Sequence, residues 1–294
     1  MGETKQEHMT VDQWYSTGKH IPIDNLRVFC KREGAGKTLV CIHGFPSSSW
    51  DFQMVWPGLT EHFDVIAADL IGLGKSSKPK KSLDIEFQAD ILEQVFIDQD
   101  VKEAHILAHD IGNTVAQELL ARQREGASKI NWLTCSFLNG GLFPESHKPL
   151  FIQKLLISPL GAVFMNFMTE SSFKKNMTQV FSASHPPDEE FLNETWKLIQ
   201  LDGGLHMIPR LIRYMQERVH KRERWVMPLI QSIIPHQLID GVEDPVSGIQ
   251  LVERYQELIP ESTVIQINNS GHYPHLETPK QVIEAVVNLT TRMV

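Results

Sequence analysis

The sequence predicts an α/β protein: a doubly wound, mostly parallel sheet with a helical cap insertion. Three observations carry that expectation. Short β-branched runs alternate with stretches of helical character up to about Leu138, which is the rhythm of strands joined by crossover helices. The alternation stops after Asn139-Gly140-Gly141, where the chain turns rich in Phe, Met, Leu and Lys with no convincing strand until about Trp225. It then resumes and runs to the C-terminus. The expected organisation is a first core part over 1–138, a helical cap over 139–225 and a second core part over 226–294.

Residues from about Asn25 to Lys31 read as a short strand at a sheet edge. Thr38-Leu-Val-Cys-Ile42 is compact and β-branched, as expected of a strand buried on both faces. It ends in His43-Gly44-Phe45-Pro46, after which Ser47, Ser48 and Ser49 supply capping hydroxyls for a helix over Trp50 to Thr60. Phe63 to Asp69 reads as the next strand, followed by a glycine-rich loop from Leu70 to Lys80. A helix over Asp84 to Asp98, a strand over Glu103 to Ala108, a helix over Asn113 to Gln123 and a strand over Ile130 to Leu138 complete the first part. The second part offers a strand at Pro235 to Asp240, a helix near Gly248 to Ile259, a strand at Thr263 to Ile267 and a helix from Thr278 to the end. Ligands in open α/β sheets bind at the carboxyl ends of the strands, and an insertion leaving from there covers that site.

Composition narrows the function. The chain has 294 residues, 41% hydrophobic and 22% charged, a balance ordinary for a globular protein. A formal charge of -8 argues against a nucleic-acid partner, which selects a basic face. No stretch is apolar for long enough to cross a bilayer, and Met1 to His20 lacks the apolar run of a secretory signal. The expectation is a cytoplasmic protein without a strong membrane signal. Cys30, Cys41 and Cys135 are an odd number in apolar runs and read as buried free thiols. No Cys-x-x-Cys or His-Glu-x-x-His occurs, so no metal is expected. Gly36-Lys37-Thr38 and Gly74-Lys75-Ser76 end like phosphate-binding loops, but the glycine such a loop needs five residues earlier is replaced by Lys31 and Asp69. No cofactor is expected.

The chemistry centres on Ala108-His109-Asp110-Ile111-Gly112, between an expected strand and an expected helix. Small residues around a tip residue, with glycine behind, form the pattern of a nucleophile elbow, where the side chain at the tip stands clear of the backbone. Here the tip is an aspartate. A serine displacing a group from saturated carbon would form an ether that activated water does not cleave, whereas a carboxylate forms an alkyl ester that it does. An aspartate in this place therefore suits an epoxide or an alkyl halide. The bland alternative is that Asp110 caps the following helix.

Two further strand ends carry partners. Asp244 follows the strand containing Leu238, and His272 follows the last strand in Ser270-Gly271-His272-Tyr273-Pro274. A His near neutral pKa takes a proton from water, and an acid at its other nitrogen orients the ring and stabilises the imidazolium. Each also has a structural alternative, since Asp before Pro is a turn former. The order Asp110, Asp244, His272 is that of the nucleophile, acid and His of the α/β-hydrolase fold. In that fold the oxyanion hole takes one N–H from the residue after the nucleophile, here Ile111, and one from the loop after the third strand, here Phe45.

His43-Gly-Phe-Pro46, Asp69-x-x-Gly-x-Gly-x-Ser76, His109-Asp-Ile-Gly112, Asp244-Pro and Gly271-His272 together resemble the epoxide hydrolase and haloalkane dehalogenase branch of the α/β-hydrolases, from about residue 25 to the C-terminus. Asn139 to Glu145, Gln153 to Leu156, Arg224 to Val226 and His272 to Glu277 resemble one subfamily of it more narrowly. The resemblance implies a small apolar substrate and no cofactor. Dehalogenases of the branch usually place Trp after the nucleophile and often Asn in the His-Gly-x-Pro loop; Ile111 and Phe45 stand here and offer no side-chain donor, which leaves Trp196 or Trp225 as unfamiliar halide donors. Epoxide hydrolases supply an acid from tyrosines of the cap. Tyr214 resembles the second of these and equally reads as a packed aromatic, while the first has no counterpart. Epoxide hydrolysis is the favoured expectation, with dehalogenation or a catalytically silent ligand-binding member as alternatives. His43, His109 and His275 are expected to brace loops, and Lys221 to Arg224 to form the solvated face of the last cap helix.

Overall fold

A computed structural model gives the three-dimensional structure and describes residues 9–81, 83–158 and 160–291. Eight strands form one sheet: β1 (Lys19–Ile23), β2 (Leu26–Gly34), β3 (Thr38–Ile42), β4 (Asp64–Ala68), β5 (Glu103–Ala108), β6 (Asn131–Phe137), β7 (His236–Gly241) and β8 (Thr263–Ile267). Their order is β1-β2-β4-β3-β5-β6-β7-β8, with β4 onward parallel and β1 and β2 antiparallel to their neighbours. The strand expected at the edge is β2, which instead lies between β1 and β4. The edge on that side is β1, a strand the sequence reading did not include; its Pro22 lacks a ladder donor and suits such an edge.

Helices cover both faces. The first core part holds α1 (Val11–Ser16), α2 (Trp56–Thr60), α3 (Ile85–Asp98) and α4 (Ile111–Arg124). Between β6 and β7 come α5 (Phe151–Ile157), α6 (Gly161–Met165), α7 (Glu170–Thr178), α8 (Glu189–Gln200), α9 (Ile208–Leu211), α10 (Tyr214–His220) and α11 (Arg222–Ile230). After β7 come α12 (Ile249–Leu258), α13 (Pro274–Glu277) and α14 (Pro279–Thr291). The helix expected over Trp50 to Thr60 is divided into a 3₁₀ segment, Ser49–Met54, and α2. Pro57 explains the break, since it restarts a helix and cannot continue one. The expected polar N-terminus falls partly on residues 1–8, and the last helix partly on 292–294, outside the described residues. Two apolar cores result, one joining the sheet to α3, α4, α11 and α12, the other joining it to α1, α2, α14 and the helices over β6–β7.

The basic run is not a solvated face. Lys221 pairs with Glu86 at 2.8 Å, Arg222 with Glu145, and Arg224 with both Glu118, at 3.0 Å, and Glu125. Glu118, on α4, is 1% exposed and also takes Arg122 Nε at 2.9 Å and the Trp225 indole N–H at 2.8 Å. One buried carboxylate thus clamps α11 to α4. Replacing Glu118 by Ala is expected to cost about 3 kcal/mol, the low end for a broken buried pair because both arginines keep other carboxylates. A lower urea midpoint at unchanged m-value checks it; an unshifted midpoint refutes the clamp.

Candidate active site

The elbow forms because Ala108 ends β5 and Ile111 begins α4, leaving two residues for the reversal. Asp110 sits at φ 48°, ψ -112°, a region that costs a non-glycine residue roughly 1–3 kcal/mol. Gly112 permits the close packing behind it: a Cβ there would lie 2.2 Å from the Ile42 carbonyl oxygen. Asp110 makes no side-chain cap to α4, so helix capping does not account for it. Its carboxylate meets three other groups. Oδ1 accepts a hydrogen bond from the Tyr214 hydroxyl at 2.7 Å, Oδ2 accepts one from Phe45 N–H at 3.4 Å, and His272 Nε2 lies 3.8 Å from Oδ2.

On its other side His272 Nδ1–H donates to Asp244 Oδ2 at 2.7 Å. Asp244 is held by Ser247 Oγ at 2.6 Å and by Val246 N–H at 2.8 Å, so it is a turn former and a partner of the ring at once. Asn139 fixes its position. The Asn139 amide donates to Gly241 O at 3.0 Å, Asp244 Oδ2 at 3.2 Å and Ser247 O at 3.2 Å, and its Oδ1 accepts from Gly241 N–H at 2.8 Å. Ile111 is fully buried as the first residue of α4, where a helix leaves its N–H groups unpaired and directed outward. The structure therefore brings Asp110, Asp244, His272, Phe45, Ile111 and Tyr214 to one place. Asn139 and Ser247 were missed, and only the Asn139-Gly140-Gly141 break in rhythm marked the spot.

Charge is arranged unevenly. Burial raises the Asp110 carboxyl pKa, but contact with His272 and its charge outweigh burial and hold the acid well below the usual carboxylate range. Burial lowers the His272 pKa, yet the Asp244 charge and the contacts with Asp110 and Asp244 push it up to about 10. The resting site is a carboxylate, an imidazolium and a second carboxylate. Around it burial keeps other groups neutral: it drives the Asp51 carboxyl up to about 8, His109 down to about 3 and His275 well down. Asp51, His109 and His275 bring donor atoms of metal-ligand type within 4.8 Å of one another, in apolar surroundings that include Phe52 and Tyr273.

The expected bracing histidines do brace. His43 Nε2 accepts from Leu70 N–H at 2.9 Å, and His109 Nε2–H donates to His272 O at 2.8 Å; His275 packs on Phe52 and His109. Asp69 is the hub of a structural turn, accepting from Tyr15, Ser49 and Lys75. The three cysteines are buried and free. Trp225 is committed to Glu118, and Trp196 packs on Phe173; neither lines the cavity over Asp110. That cavity has an empty volume of about 770 Å³, mouth included, with Asp110 and His272 at its base and walls such as Leu156, Met165, Phe173 and Met177. Tyr214 stands behind this lining and reaches the base of the cavity through its hydrogen bond to Asp110.

Sequence reading also missed Arg218. Its side chain is 2% exposed, lies 4.5 Å over the Tyr214 ring and donates to Gly141 O. A Cβ on Gly141 would lie 1.2 Å from Arg218 Nη1, so only glycine leaves room for the guanidinium. Burial and the Asp110 charge raise the Tyr214 pKa well above its ordinary value, while the Arg218 charge works to lower it.

Residues 39–285 match the model of the Alpha/beta hydrolase family. The mesoderm-specific transcript homolog protein of Bos taurus is 37% identical over 92% of this chain and 85% of its own length, in accord with the narrower resemblance of the 139–145, 153–156, 224–226 and 272–277 stretches. LipZ of Mycobacterium tuberculosis is 32% identical over 95% of this chain and 98% of its own. Among solved structures, the epoxide hydrolase CorEH superposes with a TM-score of 0.75 at 19% identity, covering 95% of this chain and 99% of that one, a likeness of fold. No helix among the described residues is long and apolar enough to cross a membrane.

Proposed function

The chain belongs to the alpha/beta hydrolase family, and on that footing we propose that it is a cofactor-independent hydrolase whose Asp110 attacks saturated carbon, with a small apolar epoxide as its substrate. The observation that carries the epoxide is the Tyr214 hydroxyl, 2.7 Å from Asp110 Oδ1. Opening an epoxide generates an alkoxide that needs a proton at once, and the phenol stands beside the attacking oxygen. A halide leaving group is usually held by side-chain donors, which Ile111 and Phe45 do not carry. The apolar cavity supports a small apolar molecule. Residues 139–225, α5–α10 and the first turn of α11, serve as the cap of a core formed by 1–138 and 226–294.

The steps balance in protons. Asp110 Oδ1 bonds to an epoxide carbon as the carbon–oxygen bond breaks, and the alkoxide takes the Tyr214 proton. Esterification erases the Asp110 charge, one of the groups holding the His272 pKa up. The imidazolium therefore gives up its proton, which is the one the opening consumes overall. Neutral Nε2 then takes a proton from water, whose oxygen attacks the ester carbon while Phe45 and Ile111 N–H hold the oxyanion. Collapse passes the remaining water proton to the departing diol and restores the carboxylate and imidazolium.

A single turnover in heavy-oxygen water tests this. The first diol released is expected to carry unlabelled oxygen from Asp110, with the label left in the Asp110 peptide. Label in the first product overturns the ester route.

A further inference from the structure

Exposed large apolar side chains concentrate in one place among the described residues. Of the eight strongly exposed ones among the described residues, four fall on α5, α6 and their flanks: Phe151, 81% exposed, Leu160, Val163 and Phe167, 75% exposed. The same two helices face inward as well. Ile152 and Leu156 of α5 and Met165 of α6 line the cavity over Asp110. Large apolar side chains on a helix are normally covered, and on the outer side of α5 and α6 they are bare. Exposed apolar patches of this kind mark a protein or membrane contact.

The charge around the patch selects between those. From Ser146 to Thr169 the chain carries Lys148 and Lys154 and no acidic residue, in a molecule of net charge -8. Both lysines are exposed, and neither forms an ion pair among the described residues. Phe151 and Lys154 share a helix face at spacing i, i+3. Protruding aromatics with lysines beside them have the composition of a segment that lies in a bilayer interface, rings among the acyl chains and ammonium groups at the headgroups. At seven and five residues, α5 and α6 are too short to go deeper than that interface.

We propose that α5 and α6 dock the protein on a bilayer surface containing anionic lipid, with the cavity mouth facing the lipid. Apolar substrate dissolved in the bilayer then reaches Asp110 without crossing water. The docking stands on the surface alone; delivery of substrate rests on the reaction proposed above, so the test reads binding without turnover. The full chain is floated with vesicles of phosphatidylcholine, or of phosphatidylcholine and phosphatidylserine at about 3:1, beside F151S/F167S and K148E/K154E. None of these residues lines the cavity, and thermal melts by circular dichroism report that each variant is folded. Wild type is expected to float with the anionic vesicles. F151S/F167S should weaken that binding at least about tenfold, and K148E/K154E about thirtyfold. Failure of the wild type to float, or undiminished binding by folded F151S/F167S, overturns the proposal. So does a wild-type dimer in sedimentation velocity that F151S/F167S dissolves, which assigns the face to a second copy.

Discussion

His272→Gln is expected to stall the protein as an alkyl ester on Asp110 within one turnover of an epoxide. Glutamine keeps a polar group beside Asp244 but takes no proton from water, so hydrolysis of the ester slows by about 10²–10⁴-fold, the usual contribution of a general base. Mass spectrometry of the Asp110 peptide then shows stoichiometric adduct, and steady turnover vanishes. An adduct-free Asp110 across terminal and substituted epoxides and haloalkanes sinks the covalent route and favours a silent ligand-binding protein. The pH dependence adds a second signature. His272, raised to about 10, holds its proton below that pH and loses it above. The alkoxide takes the Tyr214 proton at once and the imidazolium replaces it afterwards, so the first adduct forms in His272→Gln as well, and in wild type it is steady turnover that falls as pH rises through about 10. Asp110 is held well below the usual carboxylate range and stays ionised at ordinary pH, so no acid limb is expected there. In His272→Gln the limb near 10 disappears.

Tyr214→Phe has the next largest effect and separates the chemistries. The ring stays packed while the hydroxyl that meets Asp110 Oδ1 is lost. Epoxide opening is expected to slow by about 10²–10⁴-fold, seen as a fall in the single-turnover rate of adduct formation. A haloalkane leaves without a proton, so any dehalogenation survives. Were epoxide opening unchanged in Tyr214→Phe, the phenol would be a packing residue and the acid would have to be sought elsewhere.

Much of the scaffold was legible because local rules agree with the tertiary ones. Thr38–Ile42 and Glu103–Ala108 are β-branched or apolar, flanked by turn residues, and become β3 and β5 with the bounds expected. The positions of Asp110, Asp244 and His272 followed from one regularity: each ends or shortly follows a strand, and parallel strands deliver their carboxyl ends to one edge of the sheet. What escaped notice depended on partners distant in sequence. Arg218 reads as one more charge on a polar helix until Gly141, 77 residues earlier, accepts its guanidinium. Asn139 looks like turn punctuation until β7 arrives beside β6 and its amide bonds Gly241 through both N–H and C=O. The Lys221 to Arg224 run was misjudged for the same reason, since its carboxylates sit on α3, α4 and beyond β6.

Those ion pairs divide the insertion into unequal halves. Its C-terminal half, α10 and α11, is riveted to the core through Glu86 and Glu118, and Glu217 also accepts from Ile85 N–H at 3.1 Å. Its N-terminal half, α5 and α6, meets the rest through apolar contacts around the cavity. Tyr214 belongs to the riveted half. The phenol is thus mounted on the doorpost, held there by charge, while the way in lies along walls held by apolar contact.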